Sequence, residues 1–374
     1  MRNLKEVIFM SVPNFDLQAY LTKGVEKIVA QSVKAVLKNP AESKFMAGFA
    51  LSAKKASSYR REMEDKGEHI PPFLICSITN TCNLHCAGCY ARANHACGGG
   101  NTDPQLTAEE WNDIFTQAGD MGISFILLAG GEPTTRRDII KKAAEHKNIL
   151  FPLFTNGVFI DDEYYRLFDK ARNIVPIMSI EGSKEITDKR RGNGVYDRLS
   201  SNMAEFKKKG LIFGASVTVT TKNMEEVTSY EFVEKLRSKG CKAVIYVEYV
   251  PVDGTDTDLA FEDSHRELFE ERFSELRQNI DDMVLVSFPG DEKSSGGCIA
   301  AGRGFFHINS SGGAEPCPFS PYSDINVRET SLREALNSKL FKYLQTEDVL
   351  LDDHKGGCVL FEKQDIVQAL LSKV

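Results

Sequence analysis

From Pro71 to Phe288 the chain alternates short apolar runs with amphipathic segments. The runs at 73–78, 124–129, 150–155, 175–180, 213–220 and 243–250 have the length and the β-branched and aromatic content of strands. The stretches 108–121, 136–146, 161–170, 196–209, 224–239 and 263–280 repeat apolar residues at helical spacing. Thr107, with Glu110 three residues on, opens the first of these as a capping box. Parallel neighbours need a crossover, which a helix between successive strands supplies. Six such units predict an α/β fold with a parallel sheet over 71–290, two short of the eight units of a closed TIM-type barrel. Ligands then belong at the carboxyl ends of the strands.

Two segments flank this core. Residues 1–70 read as a helical extension: 17–36 and 42–66 have helical spacing, and Asn39-Pro40 breaks them apart. Residues 291–374 open on Ser294-Ser295-Gly296-Gly297, a linker, and read as a small α+β extension.

The chemistry sits just after the first strand, where Cys82-Asn83-Leu84-His85-Cys86-Ala87-Gly88-Cys89-Tyr90 spaces three cysteines as C-x3-C-x2-C. Three thiolates on one short loop suit an iron–sulfur cluster, which takes cysteine sulfur on its irons, and leave one iron open. Strand two is followed by Gly130-Gly131-Glu132, where two glycines let the backbone pass close to a ligand and a carboxylate accepts from an ammonium group. Strand three is followed by Thr155-Asn156-Gly157. Strand four ends in Ser179-Ile180-Glu181-Gly182, and Asp188-Lys189-Arg190-Arg191-Gly192 comes next.

In combination these motifs resemble the radical S-adenosylmethionine (SAM) enzymes. The resemblance implies a partial (β/α)6 barrel of TIM type, which agrees with the six units counted over 71–290, and a [4Fe–4S] cluster on Cys82, Cys86 and Cys89, with SAM chelated at the open iron. SAM would be cleaved to methionine and a 5′-deoxyadenosyl radical that abstracts a substrate hydrogen. It further implies SAM contacts from Tyr90, Gly130, Gly131, Glu132, Thr155 and Asn156, from Ser179 and Glu181 at the ribose, and from Arg191 at the carboxylate, with Arg190 competing for that place. Glu181 departs from the aspartate usual in the family. Val217 and Val219 are candidates to flank adenine, with core packing the commoner fate. No general acid or base is legible, and the histidines, His85, His95, His265 and His307 among them, show no ligand pairing.

Cys298-x13-Gly312-x4-Cys317 resembles the opening of the SPASM/twitch extension of such enzymes. With Cys358 it implies an auxiliary iron–sulfur cluster on Cys298, Cys317 and Cys358. A full SPASM domain carries more cysteines downstream, so the fourth ligand stays open, and reduced thiols in a vestigial domain are the competing reading. Cys76 and Cys241 read as core residues and Cys97 as a loop thiol.

Composition narrows the setting. Nine cysteines in 374 residues are too sparse for a secreted disulfide scaffold. No signal-peptide pattern or membrane-length apolar run is present, so a reducing cytoplasm is expected. The net charge of −7 argues against a nucleic-acid partner. Residues 1–68 nevertheless carry 12 Lys/Arg against 8 Asp/Glu. With Phe9-Met10 and Phe45-Met46, this sets peripheral membrane contact, a lipid-like substrate or a partner protein against simple packing. The resemblance implies peptide, protein or cofactor maturation with a reductant such as flavodoxin or ferredoxin. A lipid or small-molecule substrate is the alternative. A reading from another class is an iron–sulfur electron-transfer protein, which leaves Gly-Gly-Glu unexplained.

Overall fold

The computed structural model describes residues 16–37, 39–98, 103–252, 254–288, 296–346, 349–351 and 358–373. Its framework is a sheet built from β1 (Phe73–Ser77), β2 (Phe125–Ala129), β3 (Phe151–Thr155), β4 (Ile174–Ser179), β5 (Gly214–Val219), β6 (Ala243–Glu248), β7 (Val284–Phe288), β8 (His307–Ile308) and β9 (Ala314–Glu315). The spatial order is β7-β6-β5-β4-β3-β2-β1-β8-β9, with every pair parallel except β8–β9. The sheet curls into a half-barrel, as expected for a partial TIM-type fold. All six expected strands are present, with ends that differ from the expected ones by at most two residues.

Two things differ from the expectation. A seventh parallel strand, β7, follows the helix Asp263–Asn279, where a five-residue apolar run was too short to stand out as another unit. The C-terminal segment also continues the barrel sheet: β8 pairs with β1 through Ile75↔His307 and Cys76↔Ile308. Two-residue strands leave no periodicity to read, so only the pairing reveals them.

Strand alternation sorts side chains to two faces. Leu74, Cys76, Ile126, Leu128, Met178 and Val217 join the main core with Trp111, Phe115 and Phe206 of the covering helices. The alternate positions Phe73, Phe125, Val175, Ile177 and Ile245 face inward and meet a helical hairpin, α1 (Leu17–Val36) and α2 (Pro40–Asp65). Asp16 caps α1 by accepting from Ala19 N at 2.8 Å, and Asn39 caps α2 with Pro40 in its first turn.

Phe73, Phe125, Leu150, Val175 and Ile212 in this contact lie at the start of strands or just before them, so the hairpin plugs the amino end of the half-barrel. Val25, Val29, Met46 and Phe49 enter this contact, with Phe49 edge-on to Phe125 at 5.5 Å. Polar ties surround it: Glu42 pairs with Arg172 and accepts from Ile212 N at 3.2 Å, and Asn39 Nδ2 donates to Gly210 O at 2.6 Å. The apolar face that raised the prospect of membrane contact is therefore spent inside the barrel. On the hairpin, Leu37 and Leu51 are the large apolar residues left exposed. Phe9 and Met10 lie outside the described residues. No described helix is long and apolar enough to cross a membrane. We expect Phe49→Ala to cost about 3–5 kcal/mol in chemical denaturation, the usual range for emptying a buried phenylalanine site. A loss below about 1 kcal/mol would show that the plug is not docked through this ring.

Candidate active site

The cysteine loop leaves β1 at its carboxyl end and is tied at once to the turn after β2. Ile78 N donates to Ala129 O at 3.0 Å, Gly131 N to Thr79 O at 2.8 Å and Glu132 N to Thr81 O at 2.8 Å. A Cβ on Gly130 would lie 2.4 Å from Thr79 O, and one on Gly131 would lie 2.2 Å from Thr81 O. Gly130 also has φ +120°, which an L side chain resists. The close approach expected toward a ligand is thus made, in these two glycines, toward the cysteine loop itself. We expect Gly131→Ala to displace Thr81 and Cys82 and to lower the iron retained after reconstitution. Wild-type iron content would show that the loop accommodates the methyl group.

Glu132 is buried, and four donors converge on it: Thr134 N at 3.1 Å, Thr134 Oγ1 at 2.5 Å, Thr155 Oγ1 at 2.7 Å and Asn156 N at 2.8 Å. Burial nonetheless pushes its carboxyl above the ordinary range, against these bonds. Asn156 Nδ2 donates to Asn83 Oδ1 of the cysteine loop at 2.9 Å. Glu132, Thr155, Asn156 and the loop therefore form one hydrogen-bonded unit, drawn from three separate motifs.

Cys82, Cys86 and Cys89 are all partly exposed on this loop. Burial pushes the Cys82 thiol up, and the charges of Glu132, Cys86 and Cys89 add to that, which places the three thiols within electrostatic reach of one another. The neighbouring Cys97 thiol brings Cys89 down to about 5, so Cys89 favours the thiolate that binds metal. Cys97, expected on an open loop, is instead buried beside Cys89: the chain turns back through the short helix Tyr90–Ala93, and Cys97 N donates to Ala91 O at 2.8 Å. Among the described residues no three His, Cys, Asp or Glu side chains converge as a single metal ion requires. A cubane is larger than one ion and is held through separate irons, so a partly exposed thiol triad on one loop suits it.

Glu181 is the electrostatic centre of the site. Its fully buried carboxylate accepts from Arg190 Nη1 at 2.6 Å, Arg191 Nε at 2.7 Å and Thr218 N at 2.9 Å. Burial pushes this carboxyl up, but the Arg190 and Arg191 guanidiniums outweigh it and hold it below the usual range. Arg190 also fastens the cysteine loop, its carbonyl accepting from Ala87 N at 2.9 Å. The charges of Cys86 and Cys89 favour the Arg191 cation. Arg190 and Arg191 therefore share one carboxylate. The two arginines that the sequence sets in competition both pair with Glu181, whose carboxylate is turned onto them. Ser179, at the end of β4, is partly exposed. Val217 and Val219 do not face this side; they are buried in the main core with the helices, while Thr218, between them, faces Arg190 Nη1 at 3.0 Å.

Tyr90 is turned toward the C-terminal segment, its ring edge-on to Phe319 at 5.0 Å, and Asn94 Nδ2 donates to Pro318 O at 3.1 Å. Nearby, His307 Nε2 lies 2.7 Å from Ser77 Oγ and its Nδ1 lies 2.7 Å from Glu315 Oε2, with Asn309 Nδ2 donating to Glu315 Oε1 at 2.6 Å. This buried network locks the β8–β9 hairpin onto β1. Nothing in the sequence pairs Ser77 with His307, 230 residues away; the β1–β8 register does. Cys298, Cys317 and Cys358 are all buried in the main core. Cys76 and Cys241 are fully buried, as core residues are.

Comparison with known proteins places this geometry in a family. Residues 76–233 match the Radical SAM superfamily. The chain is 26% identical over 327 residues to the AdoMet-dependent heme synthase of Methanosarcina barkeri, covering 79% of this chain and 90% of that protein. It is 24% identical over 294 residues to the PqqA peptide cyclase of Rhizobium meliloti, covering 75% and 77%. In fold it is similar to Streptococcus suis SuiB bound to its precursor peptide SuiA, with a TM-score of 0.66 and 17% identity over 83% of this chain and 76% of that one. With its cysteine loop bound to the Gly-Gly-Glu turn at the carboxyl ends of a half-barrel, the chain carries a Radical SAM domain over residues 76–233.

Proposed function

We propose that this enzyme holds a [4Fe–4S] cluster on Cys82, Cys86 and Cys89, binds SAM across the carboxyl ends of β2 to β5, and acts on a peptide or a cofactor precursor. The observation that carries this reading is the cysteine loop, joined by backbone hydrogen bonds to Gly131 and Glu132 and by a side-chain bond to Asn156. When bound, the cluster supplies the electron that cleaves SAM, and the 5′-deoxyadenosyl radical takes a hydrogen atom from the substrate. The protein's part is placement. The turn at Gly130, Gly131 and Glu132, with Thr155 and Asn156, frames the methionyl ammonium; Ser179 meets the ribose; Arg190 and Arg191 offer positive charge to the carboxylate beside Cys86 and Cys89. Glu181 keeps both guanidiniums aimed, and Tyr90 closes the loop against Phe319.

Cys298, Cys317 and Cys358 are proposed to hold an auxiliary cluster, supported by the burial of all three and by Cys298 N donating to Leu350 O at 2.8 Å, beside the helix that Cys358 precedes. The names of the heme synthase and the peptide cyclase support cofactor and peptide substrates. A lipid substrate has less support, because the apolar face of α1 and α2 is occupied by the barrel. A low-potential reductant such as flavodoxin or ferredoxin, in the cytoplasm, suits this chemistry. The test is anaerobic reconstitution with iron and sulfide, then SAM and dithionite. We expect 5′-deoxyadenosine and about eight irons per chain, four for each cubane. About four irons would discard the auxiliary cluster, and an intact cluster without 5′-deoxyadenosine would discard the enzymatic reading.

A further inference from the structure

Beside Cys317, where a ligand is missing from the cysteine count, the C-terminal segment carries a buried hydroxyl without a partner. Ser320 is 1% exposed, and its hydroxyl meets no hydrogen-bond partner. A buried hydroxyl left unbonded is costly, so native structures rarely carry one without a reason. Cys317-Pro318-Phe319-Ser320 repeats, with oxygen for sulfur, the C-x2-C spacing of Cys86-Ala87-Gly88-Cys89. C-x2-C is a recurring chelate spacing for iron–sulfur clusters.

The backbone adds direction to that spacing. Cys317 and Ser320 form an isolated antiparallel bridge, and Ser320 N donates to Cys317 O at 2.9 Å. Residues paired across an antiparallel bridge project to the same face, with Cβ atoms about 4.5–5.5 Å apart. The two residues between them are held toward the cysteine loop, Pro318 by Asn94 and Phe319 by Tyr90. Cys317 and Ser320 are thus presented together. The other two cysteines sit on adjoining segments. Ala301 N donates to Pro316 O at 3.1 Å, and Cys298 N donates to Leu350 O at 2.8 Å. Cys358 precedes the helix Val359–Glu362, which packs beside Val349–Leu351. Ser311 Oγ and Asp324 Oδ1 are also buried and unpartnered, but neither residue is bridged to a cysteine as Ser320 is.

We propose that Ser320 Oγ is the fourth protein ligand of the auxiliary cluster, completing the set of Cys298, Cys317 and Cys358. The proposal rests on the reading that those three cysteines hold a cluster. On binding, the hydroxyl proton leaves to solvent and the alkoxide oxygen occupies the iron that no cysteine reaches. The ligand set is then three sulfurs and one oxygen, and no iron is left open.

The test uses the full-length chain with Cys82, Cys86 and Cys89 replaced by alanine, so that a single cluster is observed. It is reconstituted with iron and sulfide and compared with the same chain carrying Ser320→Ala or Ser320→Cys. With Ser320 present we expect about four irons, resistant to mild ferricyanide. Ser320→Ala should lose one iron under that treatment and give the electron paramagnetic resonance signal of a three-iron cluster. Ser320→Cys should keep all four, with an altered spectrum of the reduced state. An unchanged spectrum and unchanged iron retention in Ser320→Ala would overturn the role of Ser320 and leave the cluster standing. No iron in the parent chain would overturn the cluster, and the ligand with it. Circular dichroism of each variant separates lost ligation from lost folding, and Ser320→Cys supplies the reading if the alanine chain does not fold.

Discussion

Replacing Cys82, Cys86 and Cys89 together by alanine is expected to reduce 5′-deoxyadenosine formation to the level of enzyme-free controls. The apo chain should still unfold cooperatively at nearly the wild-type denaturant midpoint. The physical reason is the separation of roles in this loop. None of the three cysteines belongs to the buried core, and each is partly exposed. Surface changes of that kind usually stay within about 0.5 kcal/mol. What holds the loop in place is backbone hydrogen bonding, from Gly131 and Glu132 to Thr79 and Thr81 and from Ala87 to Arg190, and alanine leaves every one of those bonds intact. Activity and stability should therefore part completely. Retained SAM cleavage would end the assignment of these thiols, and a collapsed fold would show that they are structural.

Glu181→Ala should have the opposite character, a large stability cost together with a disordered loop. Removing this carboxylate strands two guanidiniums, of which Arg191 is only 11% exposed in its side chain. Breaking a buried ion pair by deleting one partner costs about 3–5 kcal/mol. Because Arg190 also accepts from Ala87 N, the loss should spread to the cysteine loop and lower iron retention. The pH dependence carries a sign that checks the cause. The folded-state pKa of Glu181 is depressed, so its stabilisation is present above the ordinary glutamate value and is lost as pH falls through the lower folded value. Glu132 runs the other way: its folded pKa is raised, so its charged form costs stability above that value and the cost is relieved as pH falls. Glu181→Gln should therefore flatten the acid limb of the stability curve, and Glu132→Gln should steepen it. Two identical curves in urea titrations from pH 7 to pH 4 would show that neither carboxyl is coupled to folding.

Much of this architecture is legible along the chain because it is local. Period-two runs and period-3.6 stretches mark β1 to β6 and their helices, since one buried face per element imposes the pattern. Thr107 and Glu110 form the capping box that their spacing predicts. Asn39-Pro40 breaks the hairpin where expected, because proline suits the first turn of a helix and not its interior. The C-x3-C-x2-C loop and Gly-Gly-Glu are equally local, and they are what pointed to the family.

What stayed hidden depends on pairs distant in sequence. Gly130 and Gly131 carried no sign of the neighbours for which their missing Cβ atoms make room, Thr79 and Thr81, 51 and 50 positions earlier in the chain. Arg191 and Arg190 read as competitors for one place, and the structure pairs both with Glu181, because a fully buried carboxylate between two cations is satisfied by both. His307 carried no signal until β8 set it beside Ser77 and Glu315. Cys97 read as a loop thiol until the backbone folded back toward Cys89.

The sequence alone thus determined the repeating βα units, the three-thiol loop and the resemblance to radical SAM enzymes, because periodicity and motif spacing are properties of neighbouring residues. The tertiary structure alone decided that α1 and α2 plug the barrel, that the C-terminal segment extends its sheet through β8, and that Glu181 orients an arginine pair. Each of these is a contact between segments whose separation no periodicity records, and burial chose among the partners the chain offered.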